Sequence, residues 1–302
     1  MKYSLSILLA VCACNGLFAQ DDTMQVSILP YYEPLHSDRP GATNDARTVK
    51  QAMVLQFGVG YSYLNPALDE LNASSGVSAG GMLRMPTCIG EFDVTAGVSR
   101  STGQYLLRGS VYSSYYNFTD IANSLGVGYR PEWYTTESFA LGSIFHLGYT
   151  RALDKYAYTT ISDIDSLNMM GTEERFNTHY ITPNFSLNAS YDINNHWSIS
   201  STLGIVSAFA IGQAPGPESN VAGMTTLNVG YGFQRWSLFL EGVARFHSAG
   251  PDYSVNGGFT YSISRDFQLD AFFRTRDWGQ YEVVGSQPVN IGILTGFTYI
   301  IR

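Results

Sequence analysis

Residues 91–99 read Glu-Phe-Asp-Val-Thr-Ala-Gly-Val-Ser. Phe92, Val94, Ala96 and Val98 fall on one parity; Glu91, Asp93, Thr95, Gly97 and Ser99 fall on the other. Successive side chains of a strand face opposite sides of a sheet, so this segment has one greasy face and one wet face. The pattern recurs along the chain with no helical period between its copies. Many such segments in series can close into a barrel whose wet face lines a lumen and whose greasy face meets lipid.

Outward from that stretch, the parity predicts twelve strands: Gln51–Tyr63, Val77–Met85, Glu91–Ser99, Asn123–Glu132, Phe139–Thr150, Pro183–Ile193, Trp197–Phe209, Thr225–Phe233, Trp236–Phe246, Tyr253–Ile263, Phe267–Thr275 and Ile291–Ile301. The fold class expected is all-β, an antiparallel up-and-down transmembrane barrel of about twelve strands, with ten to fourteen as the range. The connections alternate. Leu64–Gly76, Arg100–Ala122, Arg151–Thr182, Ala210–Met224 and Arg276–Asn290 are long, whereas Asn194-Asn195, Gln234-Arg235 and Ser264–Asp266 are turn-sized. In outer-membrane barrels the short turns are periplasmic, which puts both ends of an even-stranded barrel on that side.

Composition agrees. Charged residues make up 14% of the 302, aromatics another 14% with 21 Tyr and 17 Phe, and there are 30 Gly. An ordinary soluble domain carries about 25% charge. The net charge of −8 argues against a nucleic-acid partner, because phosphate binding needs a basic surface. Met1–Ala19 reads as a signal peptide, with Lys2, an apolar Leu5–Ala13 and a cut before Gln20; a lipoprotein signal processed at Cys14 is the alternative. Beyond the signal only Cys88 remains, so neither an internal disulfide nor a cysteine metal site is expected. Residues 20–50 are polar, hold Pro30, Pro34 and Pro40, and form an N-terminal arm, either a periplasmic leader or a segment folded into the lumen as a plug. Residues 51–302 are the barrel.

Charges on the wet parity are Arg84, Glu91, Asp93, Arg130, Glu132, His146, Asp192, Glu241, Arg245, Asp270 and Arg274, and no Lys falls within any predicted strand. A mid-membrane Arg or Lys on the lipid face would cost about 2–4 kcal/mol, which explains the sorting. Ser201 and Ser207 are mild polar exceptions on the greasy parity. Tyr61, Tyr63, Tyr149, Tyr191, Trp197, Trp236 and Tyr299 sit where aromatic girdles belong. The lumen charges have two readings, a ring that selects solutes and a set of ion pairs that braces the wall, and the second is favoured.

Several motifs together resemble the phenol meta-pathway outer-membrane transporter family. Ser37-Asp38-Arg39-Pro40-Gly41 and Thr48-Val49 resemble its opening, and Leu55–Gly60 its first strand, with Gly58 where the family has Glu. Met82-Leu83-Arg84, Gly90–Val94, Tyr253–Thr260, Asp266–Asp270 and Gly296–Tyr299 resemble its later hairpins. The resemblance implies a channel-like barrel passing small molecules, hydrophobic ones among them. Asp38, Arg39, Pro40 and Gly41 are the arm's compact motif, placed to seat it on lumen charges.

Two other functions stay open. One is a non-transporting scaffold or adhesion barrel, for which the aromatic run Tyr112, Tyr115, Tyr116 and Phe118 in a long connection is the candidate surface, although a loop strand extending above the membrane is the favoured reading of that run. The remoter one is a lipid-modifying enzyme. The histidines (His36, His146, His179, His196 and His247) show no ligand spacing and no serine in a nucleophile-elbow context, so the expectation is no enzyme, no cofactor and no metal. Expected partners are outer-membrane lipid, the barrel-assembly machinery, which reads the last amphipathic strand, and a small solute.

Overall fold

A computed structural model describes residues 53–65, 73–88, 90–108, 112–162, 168–194, 196–211, 219–233, 235–247, 250–264, 266–276 and 289–301. Residues 1–52 and the motif Asp38–Gly41 lie outside the described residues. The strands are β1 Met53–Asn65, β2 Ala73–Thr87, β3 Gly90–Arg108, β4 Tyr112–Thr135, β5 Phe139–Ser162, β6 Asn168–Asp192, β7 Trp197–Ile211, β8 Ser219–Phe233, β9 Trp236–His247, β10 Gly250–Ser262, β11 Phe267–Arg276 and β12 Val289–Ile301. Each pairs antiparallel with its sequence neighbours, and β1 pairs with β12 from Met53↔Ile301 to Asn65↔Val289, closing the barrel.

The register fixes the barrel's dimensions. Following paired residues once around the wall leads from Trp197 through Tyr231, Leu238, Phe259, Ala271, Thr295, Val59, Ala79, Val98, Asn123, Arg151 and His179 to Ile211, 14 residues along β7 from the start. With a stagger of 14 over twelve strands, a rise of ~3.3 Å and a spacing of ~4.8 Å give a tilt of about 40° and a backbone radius of about 12 Å. That bore lies between eight-stranded barrels, filled by their own side chains, and open sixteen-stranded porins.

The parity holds in three dimensions. On β1, Met53, Leu55, Phe57, Val59, Tyr61 and Tyr63 are exposed, while Val54, Gln56 and Ser62 are buried. Exposed aromatics collect at both rims, with Tyr191, Trp197, Trp236 and Tyr299 near the short turns and Tyr61, Tyr63, Tyr149 and Tyr253 toward the long loops. Phe139 and Tyr149 stand ten residues apart on β5; at ~3.3 Å per residue and about 40° of tilt they bracket about 25 Å, the height of an outer-membrane barrel's apolar band. At the short-turn rim the β4–β5 register slips by one residue between Glu132 and Tyr134. The extra residue is Trp133, and the slip leaves Trp133 and Tyr134, adjacent in sequence, both exposed.

Several strands are longer than their sequence pattern. β4, β5 and β6 run to 24, 24 and 25 residues, so much of the predicted long loops Arg100–Ala122 and Arg151–Thr182 is sheet standing above the apolar band. Lys155 therefore lies inside β5, beyond the Thr150 at which the predicted strand ends. Tyr112, Tyr115, Tyr116 and Phe118 belong to β4, and Phe118 is buried.

Pro183, expected at the start of a strand, sits in the middle of β6. It has no N–H for the ladder. The β6–β7 pairing breaks after Ile181↔Phe209 and resumes in the same register at Phe185↔Ile205. Side chains fill the break: Ser207 Oγ donates to the Pro183 carbonyl oxygen, and Asn184 Oδ1 accepts from the Ser207 N–H at 2.6 Å. Ser207, polar on the greasy parity, is thus the patch for a proline and is buried. Ser201, the other exception, donates to the Thr226 carbonyl oxygen at 2.9 Å.

Candidate functional site: the lumen

Arg84, Glu91, Asp93, Arg130, His146, Asp192, Glu241, Arg245 and Asp270 are all buried on the inner face, and Glu132 is half-buried. The Arg274 side chain lies outside the described residues, although its backbone pairs with Asn256. These charges divide between two sides of the wall.

On β2 to β6 a row of partners runs Arg84, Asp93, Gly128, His146, Asn184. Glu91 pairs in register with Arg130, and their charged groups are 3.9 Å apart. His146 Nε2 is 3.3 Å from Thr95 Oγ1 and 3.9 Å from Asp93 Oδ1. Asp93 on β3 and His146 on β5 come together across β4 only because β4 offers no side chain there. A Cβ on Gly128 would lie 2.3 Å from Asp93 Oδ2, and one on Gly126 would lie 2.5 Å from His146 Nε2. The alternation of glycine and charge on the wet parity is therefore a packing device.

On the opposite side the partners are amides and hydroxyls. Gln56 donates to Thr298 Oγ1 at 3.1 Å, Thr298 donates to Asp270 Oδ2 at 2.8 Å, and Gln268 donates to Asp270 Oδ1. Asn256 donates to Glu241 Oε2 at 2.8 Å. Asp270 is thus held by Gln268 and Thr298, with Gln56 behind Thr298, and Glu241 by Asn256. All of these were legible by the same parity, being polar and on the wet face, but uncharged residues do not stand out. Phe239 and Phe272 also face inward and meet across Gly258, with ring centroids 4.9 Å apart.

Higher in the lumen, above the apolar band, Asp120 on β4 and Asp154 on β5 are directly opposed. Both are buried, and Ser101 Oγ donates to Asp120 Oδ2 at 3.2 Å. Burial, and then the neighbouring Asp154 carboxylate, push Asp120 up to about 7. Burial pushes Asp154 up to about 6. Sequence reasoning missed this pair because both residues lay in stretches read as loop.

No metal-binding group of three or more His, Cys, Asp or Glu occurs among the described residues. Small wall side chains are nearly inaccessible: Thr178 and Asn228 are 0% exposed, and Thr202 and Thr298 are 1%.

No family model and no curated protein matches the chain, so the resemblance carried by Ser37–Gly41 and the later hairpins stays a resemblance. Solved structures do match. The transport unit of the autotransporter AIDA-I from Escherichia coli superposes with a TM-score of 0.55 at 10% identity, covering 83% of this chain and 90% of that one. The translocator domain of the autotransporter NalP from Neisseria meningitidis gives 0.54 at 11%, covering 83% and 90%. The Pseudomonas putida toluene transporter TodX reaches only 0.43 at 10%, covering 84% and 90%, too low a score to carry any argument about function. At these identities the likeness is one of fold, and that fold is the closed antiparallel barrel of outer-membrane proteins.

Proposed function

We propose that the protein is an outer-membrane channel that passes small molecules, with its short turns and both barrel ends periplasmic. The observation that carries this is the wall: a closed ring of about 12 Å backbone radius, greasy outside and lined inside with Ser, Thr, Asn and charges of both signs, carboxylates in excess. A polar lining of that width is what aqueous passage needs. The lumen charges act chiefly as braces, since Glu91, Asp93, Glu241 and Asp270 each lie near an arginine, histidine, amide or hydroxyl.

The N-terminal arm belongs to the same proposal. Residues 20–50, with the compact motif Asp38–Gly41, would enter the lumen as a plug seated on its charges. In proteoliposomes the full chain is expected to conduct weakly, and deletion of Gln20–Thr43 to raise single-channel conductance and admit small neutral sugars in swelling assays. Unchanged conductance in a correctly folded deletion variant rejects the plug. If neither form swells liposomes, the channel reading falls and the scaffold alternative stands.

A further inference from the structure

The outer face of the barrel breaks its own rule in one place. Among strand residues whose side chains are described, the charges on the outward parity are Arg100, Arg151, Lys155, Glu173 and Arg175, all exposed and all on β3, β5 and β6. Four cations against one carboxylate stand together on a chain whose net charge is −8. Their height is as specific as their sign. Tyr149 and Ile181 are paired at the top of the apolar band, and the next outward pair up the hairpin is Arg151 with His179. Two residues of tilted strand rise about 5 Å, which places Arg151 at headgroup level rather than among acyl chains.

The cluster is held in place by its own contacts. Arg151 Nε donates to Asn177 Oδ1 at 3.0 Å, leaving the terminal nitrogens of its guanidinium for a ligand. Tyr149 Oη is 2.6 Å from His179 Nδ1, so only Nε2 of that ring can meet a ligand. Lys155 and Arg175 are paired directly across the hairpin and share a single carboxylate, Glu173, at 2.9 and 2.6 Å. Those two hydrogen bonds, Lys155's first, hold the Glu173 carboxyl below its ordinary range. Arg100 flanks β4 from the other side, opposite Ile121, while Arg151 is opposite Asn123, two residues along. Below the cations the wall is apolar and exposed at Val98, Leu125, Leu147 and Phe185.

We infer that this face is a binding site for a phosphorylated lipid of the outer leaflet, its phosphate held by Arg151 with Lys155 and Arg175 and its acyl chains lying on the wall beneath. The inference rests on the transmembrane reading with the long loops outward. Solute passage plays no part, so a barrel that passes nothing still binds the lipid. Guanidinium groups suit phosphate because their paired N–H donors match its oxygens.

The test uses the full chain refolded in detergent, with native mass spectrometry and a binding titration against diphosphoryl lipid A, its dephosphorylated form, and inorganic phosphate. The phosphorylated lipid is expected to bind at least about tenfold tighter than the dephosphorylated one, and the combined variant Arg151→Gln, Lys155→Gln, Arg175→Gln to erase the difference. Equal binding of both lipids, inorganic phosphate binding as tightly as the lipid, or a folded triple variant that keeps the preference overturns the proposal. Should the triple variant not fold, the wild-type salt response decides. The preference must shrink between about 0.05 M and about 0.5 M NaCl, and a preference indifferent to salt rejects the site.

Discussion

At the scale of single residues, the lumen depends on what is left out as much as on what is present. Gly128 is the clearest instance, because a side chain there would enter the space used by Asp93. Gly128→Val is expected to destabilise the barrel by about 1–3 kcal/mol, as overpacking of a filled interior does, read as a lowered urea midpoint in lipid vesicles. An unchanged midpoint would mean that Asp93 and His146 are free to move apart. Asp120 and Asp154 make a pH prediction. Both are raised above the ordinary value of 3.8, to about 7 and about 6, so the folded state holds more protons than the unfolded one across that window. Stability from this pair is therefore greatest at the acid end and declines as pH rises from about 4 to about 7. The urea midpoint should be lower at pH 8 than at pH 5, and Asp154→Asn should flatten the difference; a wild-type midpoint independent of pH would contradict it. Parity alone singled out Ser207 as odd, but its purpose needed the break at Pro183. Nothing in a linear string says that residues 24 apart share one gap.

At the scale of strands, the membrane itself decides what can be read. Inside the apolar band each strand has lipid on one side, and alternation is enforced; Trp197–Phe209 and Ile291–Ile301 were legible nearly to the residue. Above the band both faces are wet, so the selection for alternation lapses. Thr172–His179 is sheet without any greasy parity, and the same holds for much of β5 beyond Thr150. Apart from the aromatic run Tyr112–Phe118, which reads as a strand above the membrane, the upper hairpins, and with them Asp120, Asp154 and the outward cations, do not show in the sequence for that reason. Two substitutions separate the regimes. Leu203, six residues up β7 from Trp197 and 64% exposed, sits about 15 Å above the short-turn girdle, near the middle of the band. Leu203→Arg is expected to cost about 2–4 kcal/mol in vesicle unfolding, whereas Leu153→Arg, above the band on the same face, should cost about 1 kcal/mol or less. Equal penalties would show that the band is misplaced.

At the scale of the whole molecule, the fold class and the strand number follow from the parity, while the stagger of the wall does not. The stagger of 14 emerges only when twelve registers are laid end to end, and each register depends on bulges such as the one at Trp133. The seam between β1 and β12 is paired over the full length of both strands, and Met53 and Ile301 emerge side by side. Topologically the wall is a ring with no privileged beginning. A circular permutant, in which a short linker joins residue 301 to residue 53 and the chain is reopened between Ile193 and Trp197, preserves every strand pairing. It should refold in detergent with the same heat-shifted gel mobility as the native order. If, as we propose, assembly machinery in the cell reads the β12 strand at its place in the chain, the same permutant should fail to insert there. The two outcomes together would tell what the closed seam needs in order to be a barrel from what the chain needs in order to be delivered as one.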